Sequence, residues 1–127
     1  MKIRWTKNSV RFRVTPSEVA AIERGEGVCE VLCLPHGAGW RAAIAPAVET
    51  SFVFEADELS VSLGESDLKS LAEPDREGVY FQLDGETALH YFIEKDFPCA
   101  HPRTADAIEA PTGTFAPPPG FEERKSA

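Results

Sequence analysis

Cysteine is scarce in this chain and its number is odd: three in 127 residues, with no pair spaced C-x-x-C. That excludes a closed disulfide framework and the common paired-thiolate zinc sites, and predicts a cytoplasmic protein with reduced thiols. Long apolar runs are missing as well. The most apolar stretch, VCEVLCL at 28–34, is short and broken by Glu30, so no membrane span is expected. The opening MKIRWTK has neither an apolar core nor a small-residue cleavage pattern, so no secretion signal is expected. Positive charge is in deficit: 13 Lys and Arg face 21 Asp and Glu, for a formal net charge of -8. Duplex nucleic acid selects basic faces on basic domains and is not an expected partner. The chain also lacks G-x-S-x-G, Walker, H-E-x-x-H and G-x-G-x-x-G patterns, so no motif assigns catalysis or a cofactor.

What is present is a run of short amphipathic segments. Residues 2–5 and 10–14 alternate: Ile3 and Trp5 oppose Lys2 and Arg4, and Val10, Phe12 and Val14 oppose Arg11 and Arg13. A period of two predicts half-buried strands. TPSEVAAIERGEG then carries helix punctuation, with Thr15 to cap, Pro16 at the first helical position, Glu18 to close a capping box and Gly25 or Gly27 to stop it. The helix is expected at about 16–24. Strands are expected at 28–34, over WRAAIA (40–45), at 51–56, 59–63, 79–83 and 88–94, with PHGAG and Asp84-Gly85-Glu86 as turns. ESDLKSLAEP predicts a second short helix, with Glu65 or Ser66 near its start and Pro74 just past its end. The fold class is therefore α+β: about eight short strands in a mainly antiparallel or curled, barrel-like sheet, with two short helices. Residues 1–103 form a single globular domain. Residues 104–127, rich in proline, read as an extended or disordered tail.

Two segments share a layout. VRFRVTPSEVAAIERGEGV and LSVSLGESDLKSLAEPDREGV align Val14 with Leu63, Val19 with Leu68 and Ile22 with Leu71, all offset by 49, and Gly27-Val28 with Gly78-Val79 after a two-residue slip. One reading is a duplication giving two halves that share one sheet or barrel. The other is that strand–helix–strand units with caps look alike without common origin.

The first two strands pose a charge problem. With Lys7-Asn8 as a two-residue turn, Arg4 faces Arg11 and Lys2 faces Arg13, while Ile3 and Trp5 face Phe12 and Val10 against the core. Like charges directly across a sheet cost roughly 0.2–1 kcal/mol per pair. Acids from adjacent strands (Glu30, Glu55 or Glu94) are one remedy, each pair worth on the order of 0–1 kcal/mol. A bound anion is the other, because the arginine fork grips phosphate or carboxylate in two places. Lys2, Arg4, Arg11 and Arg13 are the candidate anion-binding residues.

A second segment of interest is EKDFPCAHPR at 94–103. Cys99 and His101 lie two apart, near His90, Glu94 and Asp96, which are ligand types for zinc or copper. Parity separates them: Leu89, Tyr91, Ile93, Phe97 and Cys99 share one face, and His90, Glu94 and Asp96 the other. Cys99 and His101 remain weak metal or thiol candidates. Cys29 and Cys33, about 13 Å apart on one strand, read as small core residues.

MKIRWTKNSVRFRVTPSEV and FIEKDFPCAHPR together resemble a group of small bacterial proteins of unknown function. These open MKIR, then Asn-Ser with alternating arginines and a helix beginning Thr/Ser-x-Ser-Glu-Val, and they carry a late Glu-Lys-Asp-Phe-x-Cys. The resemblance implies no activity. It implies that Lys2, Arg4, Asn8, Arg11 and Arg13, with Glu94, Lys95, Asp96 and Cys99, occupy recurrent motif positions, and that the two segments form one site. The expected function is a small binding or accessory domain without catalysis, holding a small anion or an acidic partner on its basic hairpin. The alternative is a thiol- or metal-dependent site at Cys99 with His101. A third possibility is a subunit whose exposed strand edge needs a protein partner.

Overall fold

A computed structural model describes residues 1–97 apart from Ala38. Local chemistry builds its elements as the pattern predicts. The alternating segments form β1 (Lys2–Thr6) and β2 (Ser9–Val14), joined by the two-residue Lys7-Asn8 turn with Lys2 opposite Arg13 and Arg4 opposite Arg11. Helix α1 (Pro16–Glu23) starts in a capping box: the Glu18 N–H donates to Thr15 Oγ1 at 3.3 Å, and the Thr15 N–H to Glu18 Oε1 at 2.9 Å. It stops at Gly25, whose φ of +91° suits glycine. There the N–H groups of Gly25 and Glu26 donate back to the Ile22 and Ala21 carbonyls, closing a Schellman motif.

Next come β3 (Val28–Cys33), β4 (Gly39–Ala47), β5 (Ser51–Glu55), β6 (Glu58–Gly64), α2 (Glu65–Ala72), β7 (Gly78–Leu83) and β8 (Leu89–Lys95). The fold is α+β, but the strands form neither one sheet nor a barrel. There are two four-stranded mixed sheets, β1-β2-β8-β7 and β3-β4-β6-β5, each with antiparallel outer pairs and a parallel central pair. The reason lies in connectivity. α1 lies between hairpins β1–β2 and β3–β4, and α2 between β5–β6 and β7–β8, and in each half the two hairpins end in different sheets.

The internal layout is doubled. Adding 49 to the β1–β2 ladder gives the β5–β6 ladder, so that Ile3↔Phe12 becomes Phe52↔Val61. The same shift carries α1 onto α2, and the Phe12↔Ile93 pair of the first sheet onto the Ile44↔Val61 pair of the second. Exchanging the halves thus turns each sheet into the other. Each sheet holds one hairpin from each half.

The inner faces meet in one core. Phe12, Ile93, Ile44, Val61, Leu63, Ile22 and Leu71 are fully buried in it, and the aromatic contact of Phe52 with Tyr91 crosses between the sheets. Val19 and Ile22 of α1 and Leu71 of α2 join Val14 and Leu63, so the helices close the end of the sandwich where β2 and β6 finish. At the opposite end no helix lies among the described residues, and Trp5, expected against the core, is 64% exposed.

Cys29 and Cys33 correct their expectation too. Both are exposed, because the inner face of edge strand β3 takes Val28, Glu30 and Leu32, which lie opposite Ile44, Ala42 and Trp40, and leaves the cysteines on the outer face. Helix α2 starts at Glu65 with Ser66 in its first turn, as the pattern predicts, and its cap position is Gly64, which has no side chain. Thr50 substitutes, accepting the Gly64 N–H at 2.8 Å and donating to Asp67.

Glu18 ties the amino end down. Met1's ammonium lies 2.8 Å from Glu18 Oε2 and 3.0 Å from Glu30 Oε1. Burial alone pushes the Glu18 carboxyl up, but hydrogen bonds from the ammonium and from Thr15, with the ammonium's charge, outweigh it and hold the group below its ordinary 4.5. A depressed folded value stabilises above pH 4.5, and that contribution disappears as pH falls through the folded value. We expect Glu18→Gln to cost about 1–2 kcal/mol in urea unfolding at pH 7, because it weakens both cap and ion pair. The difference from the parent should shrink as pH falls below 4.5 and through the lower folded value. An undiminished gap there would refute the assignment.

Candidate functional site

The outward residues of the first sheet follow from parity. Along β2 the inward positions are Val10, Phe12 and Val14, which leaves Ser9, Arg11 and Arg13 outside; along β8 the outward set is His90, Phe92 and Glu94. Register aligns them into rows: Arg4, Arg11, Phe92 and Tyr80 cross the sheet in one, and Lys2, Arg13, Glu94 and Gly78 in the next. The parallel pairing of β2 with β8 therefore brings the basic hairpin and the EKDF segment onto one face.

There the cations are neutralised unevenly. Lys2 Nζ lies 3.2 Å from Asp96 Oδ2, and Arg11 Nε lies 2.6 Å from Glu94 Oε1. The Arg11 contact is an ion pair and not an aligned hydrogen bond, since the buried Nε has no oxygen in line with its N–H. Arg11 also lies over the Phe92 ring, 5.3 Å from its centre, so carboxylate and ring together fix the guanidinium. Arg4 and Arg13 have no ion-pair partner among the described residues. Of the acids expected to balance this face, Glu94 does so. Glu30 instead binds Met1, and Glu55 lies on β5 of the other sheet.

Lys95, also singled out by sequence, points elsewhere. Its ammonium donates to the Glu73 carbonyl at 2.6 Å, at the end of α2, where the helix dipole favours a cation. Cys99 and His101 lie outside the described residues, and so do the domain boundary at 103 and the tail. Among the described residues no three His, Cys, Asp or Glu side chains cluster as metal ligands.

Sequence reasoning missed the aromatic part of the face. His90 stacks on Phe92 at 6.3 Å and Tyr80 tilts against it at 5.5 Å, with Tyr80 55% exposed. Burial first, and then the negative charge of Glu94 and Glu77, push the Tyr80 phenol up, so it stays a neutral hydrogen-bonding group. Parity along 88–94 already placed His90 outward, and the same count places Phe92 beside it.

The family model matches residues 1–113, which includes both the hairpin and the EKDF segment. The chain belongs to DUF7009, a family of unknown function. A search of the curated proteins and a search of the solved structures each found no match. Among the described residues no helix is long and apolar enough to cross a membrane.

Internal doubling supplies a comparison within the molecule. Positions equivalent to Lys2, Arg4, Arg11 and Arg13 on the second sheet are Ser51, Val53, Ser60 and Ser62; those equivalent to Phe92 and Glu94 are Ala43 and Ala45. At these positions the second sheet builds the same ladder with no arginine and no aromatic ring, and its outward Arg41 is matched by Glu58. The furnished face is thus an addition to the architecture.

Proposed function

We propose that the outer face of the first sheet binds a small anion that carries a flat ring, of the nucleotide type. The observation that supports this best is the pair Arg4 and Arg13, which have no carboxylate partner among the described residues, on a face with net charge +2 from four cations and two acids. Arg4 lies directly opposite Arg11, so Arg13 is its diagonal neighbour, roughly 7–8 Å away between Cβ atoms. Two guanidinium forks at that spacing converge on one phosphate or carboxylate group. Tyr80, in the same row as Arg4 and Arg11 and 55% exposed, offers a ring for stacking, as open sheet faces do in single-strand readers. Among the described residues no group on this face is arranged as nucleophile and base, and the reading is of binding.

Thermal unfolding at fixed ionic strength tests it, comparing chloride with phosphate, pyrophosphate, citrate and nucleoside phosphates. A ligand at 100 times its dissociation constant adds ~2.7 kcal/mol, a rise of several degrees. Arg4→Ala and Arg13→Ala should remove the rise, while Tyr80→Ala should reduce it for nucleotides and spare pyrophosphate. No rise with any of these anions would overturn the reading.

A further inference from the structure

The end of the sandwich away from helices α1 and α2 carries a cleft among the described residues. Where β2 and β6 begin, the two sheets stay apart and enclose a cleft of about 450 Å³, within the size range of small-molecule sites. Its walls come from both sheets and largely correspond under the exchange of halves: Trp5 with Phe54, Val10 with Leu59, Trp40 with Leu89. The Trp5 and Trp40 rings meet edge to face, 5.9 Å between centres at 78°, so the walls present aromatic faces in two orientations. Trp5 at 64% and Phe54 at 62% are among the most exposed large apolar side chains of the described residues. An occupant would cover both.

Two further features give the cleft a preference. First, Asp57 is the one charged residue among the described lining residues; Thr6 and Ser9, whose hydroxyls bond each other at 2.5 Å, also line the cleft. Second, the turn that presents Asp57 is strained: Ala56 and Asp57 have φ of +50° and +62°, in the left-handed region. The hairpin does not require this. The equivalent Lys7-Asn8 turn closes a ladder of the same register with no positive φ. The strained turn is pinned by the Arg41 N–H donating to the Asp57 carbonyl at 3.0 Å. Fixed in this way, the turn holds Asp57 at the rim of the cleft.

Four aromatic side chains (Trp5, Trp40, Phe52 and Phe54) around an apolar space, with one carboxylate at its edge, suit an organic cation. Ring faces attract a positive charge through their quadrupole, the carboxylate adds its own attraction, and the apolar walls take the carbon skeleton. We propose that this cleft binds a free alkylammonium compound, its charged head at Asp57 and its apolar body against Trp5 and Trp40. The net charge of -8 favours the approach of such a ligand. The basic face lies on the outer side of the first sheet, so this inference stands apart from the anion-binding reading.

The chain holds only two tryptophans, and both line the cleft, so intrinsic fluorescence reports on it directly. Hexyltrimethylammonium, hexanesulfonate and 1-hexanol share one alkyl chain and differ in charge. The cation should change tryptophan emission saturably and bind at least about tenfold more tightly than either of the others. Asp57→Asn keeps a residue tolerant of the left-handed turn and should weaken cation binding about tenfold without changing the weak affinity for hexanol. Trp5→Ala, at an exposed position, should weaken all three while the thermal midpoint moves little. Equal binding of the three compounds, an Asp57→Asn variant that binds the cation as well as its parent, or no saturable change at millimolar cation would each overturn the proposal.

Discussion

Cut between Val48 and Glu49, the chain should lose its structure in both pieces and regain it when they are mixed. Val48 is 93% exposed in the link between β4 and β5, so the cut itself breaks no core contact. What it separates are the parallel pairs at the centre of each sheet, β2 with β8 and β4 with β6, because each pair takes one strand from each half. Residues 1–48 alone retain two hairpins and a helix, and isolated two-stranded hairpins are marginal in water. A homodimer of that piece could copy the backbone ladders, since the halves correspond. Its sheets, however, would set Arg11 and Arg13 opposite Ala43 and Ala45, with Arg41 opposite Ser9, where the intact chain supplies Phe92 and Glu94 and, beyond them, Asp96. Charge therefore selects the unlike pair. Circular dichroism should show each piece largely unfolded, and adding 49–127 should shift the emission of Trp5 and Trp40, both carried by the first piece. Cooperative unfolding of 1–48 alone would show that the halves fold independently.

How much of this was legible beforehand depends on where each element's partners lie. Helix α1 carries its punctuation within its own sequence, from Thr15 to Gly25, and the whole motif was readable. Helix α2 takes its cap from Thr50, which lies 14 residues before the Gly64 N–H it accepts, and no local pattern points there. The β1–β2 register followed from alternation and a two-residue turn. The pairing of β2 with β8 did not, because it joins segments from opposite ends of the domain. The charge conflict at Arg4 and Arg11 called for acids nearby and named Glu94 among them, and the resemblance pointed to the same segment. In VCEVLC both faces are apolar enough to be buried, so parity grouped Cys29 with Cys33 but could not say which face turned inward. The cleft was hidden for a similar reason. Trp5 reads as a core residue and is instead 64% exposed at the rim of the cleft; what the pattern lacks is any sign that α1 and α2 both lie at the other end of the sandwich.

Phe12→Ala is the single substitution expected to cost most, about 3–5 kcal/mol. Phe12 is fully buried on a central strand, lies opposite Ile3 and beside Ile93, and shares its core with helix residues as well as both sheets. Against a total stability of roughly 5–15 kcal/mol, that loss brings the protein close to unfolding at 37 °C. The doubled architecture supplies an internal control. Val61, the equivalent position on β6, is equally enclosed at 1% exposed, but removing its two methyl groups should cost only about 2 kcal/mol. Phe54→Ala, at a 62% exposed ring, should cost well under either while emptying one wall of the cleft. Urea midpoints for the three variants should rank Phe12, Val61, Phe54, with similar denaturant slopes. A Phe12 variant as stable as the Val61 variant would mean that the core closes around the missing ring. The two sheets would then be free to approach each other, and the cleft at their open end would not keep a fixed width.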